Sequence, residues 1–442
     1  MNMSRPALIA GAAVADITPR GSVFLYGYPH VPRYSTGIND PLECAALYLR
    51  RGEGHALFLA NDVIYFPRDL VDEIRRRVHA ATGIPAESIM VTATHTHSGP
   101  IMTDHLSNAA DTVLPKVDRG YLAWLTAEIV AAAVSAIRSA VPAEVGLAVA
   151  QAVGVGSNRH DPAGPADPEV PVLVARSAAT RQPIAAMLVY GMHPTVLHED
   201  STLISGDFPA FTRSFLRRTV LPAGCPVLYH NGASGNQSPR HVTRANTFAE
   251  ARRLGELLGR AVADVVPTVA YSAETAIEVR RRDVVLTPRE FPAAVQAEEA
   301  VKAARARYER LKAEGAARQI VRTAECDVFG AEETAELSRA AGDGRLAQAI
   351  AHCSPAEIQL IKIGPWTFVG WPGEFFVEYG LEVKRRLERS FVITLANGEL
   401  QGYVVTAAAA AAKVYESTNA IFSHDNGARM VEATVALARE GR

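Results

Sequence analysis

Two histidines two positions apart close an apolar stretch at residues 91–100, which read VTATHTHSGP. Residues i and i+2 of a β-strand project from one face, so His95 and His97 are predicted to point together into the space at the strand's end. Such a pair can begin a metal site, although a histidine pair at an exposed strand end has the same pattern. Further ligand-type residues are needed to decide between the two interpretations.

Two other strand-like stretches also end in a residue that can bind a metal. His193 follows the apolar residues 186–190, and Glu374 comes directly after the turn Pro372-Gly373. Imidazole nitrogens and a carboxylate oxygen suit Zn²⁺, and three protein ligands with one open position are typical of a catalytic zinc that activates water. Taken singly, His193 could be a hydrogen-bonded strand-end histidine and Glu374 a helix N-terminal carboxylate. Together the three predict a zinc site.

Seven motifs then occur in order along the chain: GAAVADITP near the N-terminus, THTHSGP, Ser157-Asn158-Arg159, MHPTVLHEDSTLISGD, GNQSP, PGE, and LANGELQGYVVT followed by YES. In these motifs the chain resembles the neutral (alkaline, non-lysosomal) ceramidases, which are zinc-dependent amide hydrolases of sphingolipid metabolism. The resemblance implies a ceramidase-like catalytic domain that hydrolyses an N-acyl amide, ceramide or a related lipid, by a zinc-bound hydroxide.

The resemblance also assigns roles to single residues. It implies that His95, His193 and Glu374 bind zinc, and that His97 and Arg159 hold or polarise the scissile carbonyl of the substrate. Ser238 stands where the family has the serine of its Gly-Asp-x-Ser-Pro-Asn signature. That serine is either a nucleophile or a group that positions substrate, and it also fits a turn serine before proline. We favour the hydroxide as nucleophile, because a reactive serine needs an adjacent base and no GxSxG elbow is present.

Several positions depart from the family pattern. A tyrosine that completes the zinc site in the family corresponds here to Ala410, inside the run Ala407 to Ala412, and a substrate-contacting tyrosine corresponds to Phe422. Either the fourth ligand is lost, or Tyr415 replaces it, or the six alanines stand in for other side chains; a natural helical turn is also consistent with the run. The signature aspartate is Asn236 here, which argues against ceramide itself as the substrate.

Composition excludes some function classes. The 442 residues are 48% hydrophobic and 21% charged with a net charge of −2, which is ordinary for a globular protein and gives no basic footprint for nucleic acid. Four scattered cysteines predict buried free thiols. We expect no transmembrane segment, because no 18-residue uninterrupted apolar stretch occurs, and we expect a cytoplasmic protein. A separate C-terminal domain of full-length ceramidases is not expected, which favours a smaller or more hydrophilic substrate.

Hydrophobic periodicity predicts a single α/β domain over residues 1–442, with layered mixed β-sheets flanked by helices and the metal site at strand ends. Strands are predicted over residues 7–17, 45–49, 56–60, 89–94, 144–153, 170–175, 185–190, 227–230, 277–286, 357–363 and 366–370. Helices are predicted over residues 67–82, 119–140, 209–220, 247–266, 293–314, 331–341, 374–388 and 428–440. Residues 290–350 read as a helical insertion or lid over the site, or as an amphipathic structural helix.

Three functions are consistent with these observations. The leading hypothesis is a zinc-dependent amidohydrolase that acts on a small-molecule or lipid-like N-acyl substrate. A metallohydrolase of a lactone, ester or phosphoester is the second, because a zinc hydroxide does not dictate its electrophile. A non-catalytic relative that binds a ligand through an incomplete metal shell is the third. The sequence does not indicate an oligomeric state.

Overall fold

The computed structural model describes residues 7–440, apart from the side chains of residues 318 and 319. The strands are β1 (Ile9–Asp16), β2 (Gly37–Ile38), β3 (Glu43–Arg51), β4 (Gly54–Asn61), β5 (Ile89–Ala93), β6 (Val141–Gln151), β7 (Ser157–Asn158), β8 (Glu169–Ser177), β9 (Pro183–Tyr190), β10 (Leu203–Ile204), β11 (Val227–Asn231), β12 (Gln237–Ser238), β13 (Ile277–Val284), β14 (Ala356–Ile363), β15 (Trp366–Gly370), β16 (Glu374–Phe375), β17 (Ser390–Ile393) and β18 (Tyr403–Val404). The helices are α1 (Arg68–Thr82), α2 (Arg119–Arg138), α3 (Asp207–Thr219), α4 (Phe248–Val265), α5 (Ala294–Ala313), α6 (Arg318–Asp343), α7 (Arg345–Cys353), α8 (Val377–Arg386), α9 (Ala407–Ala412), α10 (Tyr415–Asn419) and α11 (Asp425–Arg439).

All of the long strands predicted from hydrophobic pattern are present. Two helix predictions need correction. The helix predicted over residues 374–388 begins only at Val377, because Glu374 and Phe375 extend as β16 and pair with β18. The helix predicted over residues 331–341 is the C-terminal part of the 26-residue α6, and α7 was not predicted.

The two main sheets pack against each other face to face, with helices on both outer sides. The larger has eight strands in the order β11-β9-β8-β6-β1-β3-β4-β5, and the smaller has the order β13-β14-β15-β17. Alternation along β4 shows the layering: Ala56, Phe58 and Ala60 share a core cluster with Ile361 and Phe368 of the smaller sheet. The intervening Leu57 and Leu59 join the cluster formed with α1 and α2. The architecture confirms the predicted layered α/β fold.

Helices α3 and α4 cover the β8, β9 and β11 part of the large sheet, where Leu188 and Tyr229 are buried with Leu254. Helices α8 and α11 cover the small sheet, together with parts of α6 and α7. The predicted ligands follow the C-terminal ends of three strands: His95 comes just after β5, His193 just after β9, and Glu374 a few residues after β15.

The two edge strands of the large sheet, β5 and β11, approach each other. The hydroxyl of Thr92 on β5 hydrogen-bonds to Nδ1 of His230 on β11 at 2.8 Å. Residues 394–397 join the two strands, because Thr394 N–H donates to the carbonyl of Asn231 and Asn397 N–H donates to that of Val91. Loops that follow β5 and β9 are consequently close in space, although β5 and β9 are six positions apart in the sheet order.

Helix α2 is long and apolar enough to cross a membrane by length and composition, with a mean hydropathy of 1.6, which the sequence analysis did not predict. Within the molecule 44% of that window is buried. Leu125, Ile129 and Ala133 pack into the cluster beneath the large sheet. This burial is typical of a core helix.

Residues 290–350 form α5, α6 and most of α7. Helix α5 buries only Ala297, whereas α6 places Leu337 and Ala340 in the cluster beside the small sheet. The C-terminal part of α6 is therefore core structure, and the function of the hairpin as a lid stays a prediction.

Candidate active site

The predicted ligands His95 and His193 are oriented by backbone carbonyls. His95 lies two residues beyond β5 with φ of +72°, and its Nδ1 is 2.8 Å from the carbonyl oxygen of Ile64. Nδ1 of His193 is 2.8 Å from the carbonyl of Ser234 and 3.1 Å from that of Gln237. A carbonyl only accepts, so Nδ1 carries the proton in each ring and Nε2 offers a lone pair in the neutral state.

The sequence motifs around these histidines hold their loops in place. Asp207 of the LISGD motif accepts backbone N–H groups from Val196 and Leu197, just beyond His193. Thr96 of the THTHSG motif donates its hydroxyl to the carbonyl of Ser205. These contacts tie the loop after β5 to the loop after β9.

His97 lies beside His95, and the two Nε2 atoms are 3.4 Å apart. Its Nδ1 is 3.1 Å from the carbonyl of Gly27. A Cβ atom at Gly27 would come within 2.4 Å of the His97 ring, and φ there is +120°, so only glycine allows this approach. Burial, and next the neighbouring His95, hold the pKa of His97 well below its usual value, so this imidazole is neutral near pH 7.

Glu374 completes the cluster. It lies on β16, and its Oε2 is 3.0 Å from Nε2 of His193 and 3.2 Å from Nε2 of His95. Burial raises the pKa of Glu374, but His95 and His193 lower it more, and the net pKa is well below the usual value. The carboxylate is therefore negatively charged.

This donor set fits a divalent metal ion. Burial lowers the pKa of His193 to about 4, so its Nε2 carries a lone pair at neutral pH and faces the Glu374 carboxylate without a proton between them. A cation between these two electron-rich atoms, which are 3.0 Å apart, would remove the repulsion between them. Ligands about 2.1 Å from a tetrahedral zinc are about 3.4 Å apart, close to the spacings observed here.

Two sets of three ligands are available in this geometry. Nitrogen atoms of His95, His97 and His193 all lie within 4.8 Å of one another. In the set predicted from sequence, Nε2 of His95 and Nε2 of His193 lie 3.2 and 3.0 Å from the same oxygen, Oε2 of Glu374. Both distances are shorter than the 3.4 Å between His95 and His97. His97 lies adjacent to this set, either as an additional ligand or as the substrate contact that the sequence resemblance implies.

Arg159 lies close to the cluster but is engaged by other side chains. Its guanidinium forms an ion pair with Glu416 and lies over the ring of Tyr403, 5.1 Å from the centroid. Burial raises the pKa of Glu416, but Arg159 and His160 lower it to about 2, so the pair is ionic at neutral pH.

Ser238 is buried on β12, which pairs with β7. Its hydroxyl accepts the backbone N–H of Arg240 at 3.4 Å and caps the single 3₁₀ turn Pro239–His241. The adjacent Gln237 carbonyl contacts His193, so the segment that contains Ser238 also supports a predicted ligand. This arrangement suits a turn serine, and a chemical role for Ser238 stays a prediction.

The residues that depart from the family pattern lie on α9, in the core and beside the site. Ala410 lies on α9, and Phe422 is buried in the core beside the small sheet. Tyr415 packs its ring edge-on against Tyr403, and Tyr403 itself stacks on His193 with centroids 6.2 Å apart. Tyr403 is thus the tyrosine for which contact with a predicted ligand is observed. Asn236 links the site to α8, since its Oδ1 accepts the N–H of Val377.

A cavity of about 90 Å³ opens onto the cluster. Of the six predicted site residues, its lining includes His95, His97 and Glu374, while His193 contacts Glu374 and Arg159 contacts the lining residue Tyr403. The remaining walls are aromatic and polar, and include Tyr26, Tyr28, Tyr65, His105, Asn108, Glu333, Tyr403, Tyr415 and Asn419. This volume is smaller than that of a typical ligand pocket.

Sequence reasoning did not assign a function to Tyr403, Glu416 or Glu333. Tyr403 and Glu416 lie inside the GYVVT and YES motifs, whose presence was a usable signal. Glu333 carries no such signal, because a glutamate on a charged helix is usually solvent-exposed. In the structure it is 7% exposed and lines the cavity.

Comparisons with known proteins support the fold. Two solved structures align with 98% of this chain at a TM-score of 0.76 and 18% sequence identity: one described as a ceramidase complexed with C2, and the neutral ceramidase from Pseudomonas aeruginosa. The alignments cover 75% and 74% of those chains. A scan against models of protein families and a search of curated proteins found no match. The resemblance inferred from the motifs is confirmed as a shared fold.

Proposed function

We propose that this chain is a zinc-dependent hydrolase that cleaves the amide bond of an N-acyl substrate, as the ceramidases that share its fold do. The observation that carries the proposal is the convergence of His95, His193 and Glu374, in which both histidine Nε2 atoms face one carboxylate oxygen. A zinc ion held there would supply an activated water as nucleophile and a Lewis acid for the scissile carbonyl.

The chain's own residues perform the remaining functions. Glu374, the imidazoles of His95 and His193, and their carbonyl partners provide a preorganised shell. His97 is neutral and lines the cavity, so it is suited to donate or accept one hydrogen bond at the reacting carbonyl. Arg159, ionised beside Glu416, provides a fixed positive charge that favours negative charge on that carbonyl oxygen.

Metal content tests the proposed site. We expect purified protein to hold about one equivalent of zinc by elemental analysis, and His193→Ala to lose it. His352→Ala, which alters an exposed histidine on α7, is the matched control and should retain the metal. Full zinc retention by His193→Ala would remove His193 from the ligand set.

His97→Ala distinguishes the two ligand sets in the same measurement. If His97 contacts substrate only, this variant keeps its zinc while amide hydrolysis falls about 100-fold or more, as for loss of a catalytic hydrogen bond. Loss of the metal in this variant would identify the three histidines as the ligands. Release of amine from N-acyl amides, compared with turnover of matched esters and lactones, tests the bond that is cleaved.

A further inference from the structure

A larger cavity adjoins the one at the histidine cluster. The outer cavity has a volume of about 400 Å³ and lies between α5, α6 and the loop of residues 107–111. Both cavities are lined by Pro29, Ser107, Asn108 and Glu333, so a molecule that enters from the outer cavity passes these residues before it reaches the metal ligands.

The outer cavity is walled mainly by ionisable side chains, many of them paired with each other. His30 contacts Glu332 at 2.8 Å and Asp111 at 3.4 Å, and Arg305 also pairs with Glu332. Arg339 of the same wall contacts Glu298. These charged and polar groups can pair with polar groups of a ligand, so this route accommodates a hydrophilic substrate.

Asn108 and Glu333 form the neck between the cavities, and Asn419 lines the inner cavity at the same end. Tyr26 donates its hydroxyl to Oδ1 of Asn108 at 2.8 Å, and Nδ2 of Asn108 donates to Oε1 of Glu333 at 3.4 Å. Glu333 and Asn419 are only 7% and 8% exposed. Even so, Oε2 of Glu333 and Oδ1 of Asn419 are buried without a hydrogen-bond partner.

The two unpartnered atoms define the chemistry of a matching ligand. Burial, opposed in part by the nearby amides of Asn419 and Asn108, raises the pKa of Glu333 to about 8, so its carboxyl group mostly carries a proton near pH 7. A protonated carboxyl offers an O–H donor, while the Asn419 oxygen only accepts. A hydroxyl group satisfies both at once, since it accepts one hydrogen bond and donates another.

We propose, building on the amidohydrolase function proposed above, that the substrate is a short hydrophilic N-acyl amide whose hydroxyl group binds in the neck between Glu333 and Asn419. Glu333 is then a specificity-determining residue supplied by α6. An apolar substrate of the same shape leaves two buried polar atoms unpaired, which is the strongest basis on which a site rejects an analogue.

Matched amides that differ in one group test this assignment. N-butanoylethanolamine is compared with N-butanoylpropylamine, and N-(3-hydroxybutanoyl)propylamine with N-(3-methylbutanoyl)propylamine, which places the hydroxyl in either half of the substrate. For zinc-loaded enzyme we expect the hydroxylated member of at least one pair to have a kcat/KM about 10-fold or more above its isostere. Glu333→Leu should reduce this preference to about 2-fold or less, whereas Glu336→Leu should keep it.

Glu336 is a suitable control because it is a buried carboxylate on the same helix that pairs with Arg339 and Arg345, outside both cavity linings. Glu333→Gln, which still donates and accepts a hydrogen bond, should retain most of the preference. The assignment is overturned if wild-type enzyme treats both pairs equally, or if the preference survives Glu333→Leu. It is also overturned if rates rise from N-butanoyl- to N-octanoylpropylamine or if N-butanoylethylenediamine, an ammonium isostere, is preferred.

Calorimetric titration of the same amides separates this inference from the proposed reaction. If no amide is hydrolysed, the hydrolase function fails. Tighter binding of a hydroxylated amide that is lost in Glu333→Leu would still support the neck site, and absence of that difference would overturn it.

Discussion

At the residue scale, each predicted ligand depends on a backbone group for its orientation. The carbonyls of Ile64, Ser234 and Gln237 hold the histidine rings, and Glu374 is held by the pairing of β16 with β18. Such outer contacts determine which ring nitrogen is free for a metal. Gln237, whose carbonyl contacts His193, is followed directly by Ser238. The segment that contains this serine therefore also supports a predicted ligand.

Ser238→Ala separates metal chemistry from serine chemistry. Because the Ser238 hydroxyl caps a short turn, we expect this variant to keep its zinc and to retain measurable turnover, reduced by about 10- to 100-fold. His95→Ala should lose both zinc and activity, since the metal supplies the nucleophile in our proposal. Amine release and metal content are the measurements.

The opposite result would assign the chemistry to the serine. It would consist of a Ser238→Ala variant with full zinc and no turnover, together with an acyl group trapped on Ser238 and detected by mass spectrometry.

At the element scale, α6 combines core packing with a contribution to the site. Leu337 and Ala340 are buried beside the small sheet, while Glu333, one turn earlier, faces the cavities. Glu333 is buried near Glu332, whose charge opposes its ionisation, and near Arg289, whose charge favours it. Because the pKa of this buried carboxyl group differs between the folded and unfolded chain, the folding stability of the protein depends on pH.

We expect Glu333 to make folding less favourable as pH rises. Its pKa is about 8 in the folded chain and about 4.5 when unfolded, so the folded state binds the extra proton between these values. The stabilisation associated with that proton is complete below about pH 4.5 and is lost as pH rises through about 8, at up to about 1.4 kcal/mol per pH unit. Glu333→Gln lacks this proton and should become progressively more stable relative to the native chain.

Urea unfolding midpoints of both proteins, measured from about pH 5 to about pH 9, provide the test, because their difference cancels the titration of other groups. Parallel profiles for the two proteins would show that the Glu333 carboxyl is not held protonated.

At the scale of the whole molecule, the site depends on the meeting of β5 and β11. Asn397 is central to this junction. Its Oδ1 accepts the N–H of Val91 at 2.9 Å, and its Nδ2 donates to Glu357 and Gln359 at 2.9 and 2.7 Å. The junction therefore also links the large sheet to β14 of the small sheet.

Asn397→Ala should weaken both folding and metal binding. It leaves the Val91 N–H and Oε1 of Gln359 buried without partners, whereas Glu357 keeps its bond from Arg75, at a cost of about 2 to 4 kcal/mol. Because β5 leads into His95, a shift of this strand should also lower the affinity for zinc. Chemical unfolding and competition with a chelator measure the two effects, and Asn39→Ala, at an exposed position, is the control. Reduced stability with unchanged zinc affinity would show that the junction and the metal site are independent.

The sequence by itself determined the local parts of this protein. Period-two and helical patterns located the long strands and most helices, because burial on one face is a property of neighbouring residues. Ligand-type residues at the ends of β5, β9 and β15, with the motif resemblance, indicated three candidate metal ligands and the fold. The prediction of a helix at Glu374 was wrong because Glu374 pairs with β18, about thirty residues later in the chain, and is therefore part of a strand.

Only the tertiary structure decided which of these residues meet. The junction of β5 and β11 brings His95 to His193, and it depends on hydrogen bonds from residues 394–397 to strands more than 150 positions earlier. The placement of Tyr403 on His193, of Glu416 on Arg159, and of Glu333 in the neck likewise depends on packing between elements distant in sequence. Such contacts produce no periodic pattern in the sequence. They form between surfaces that exist only after the sheets and helices have packed.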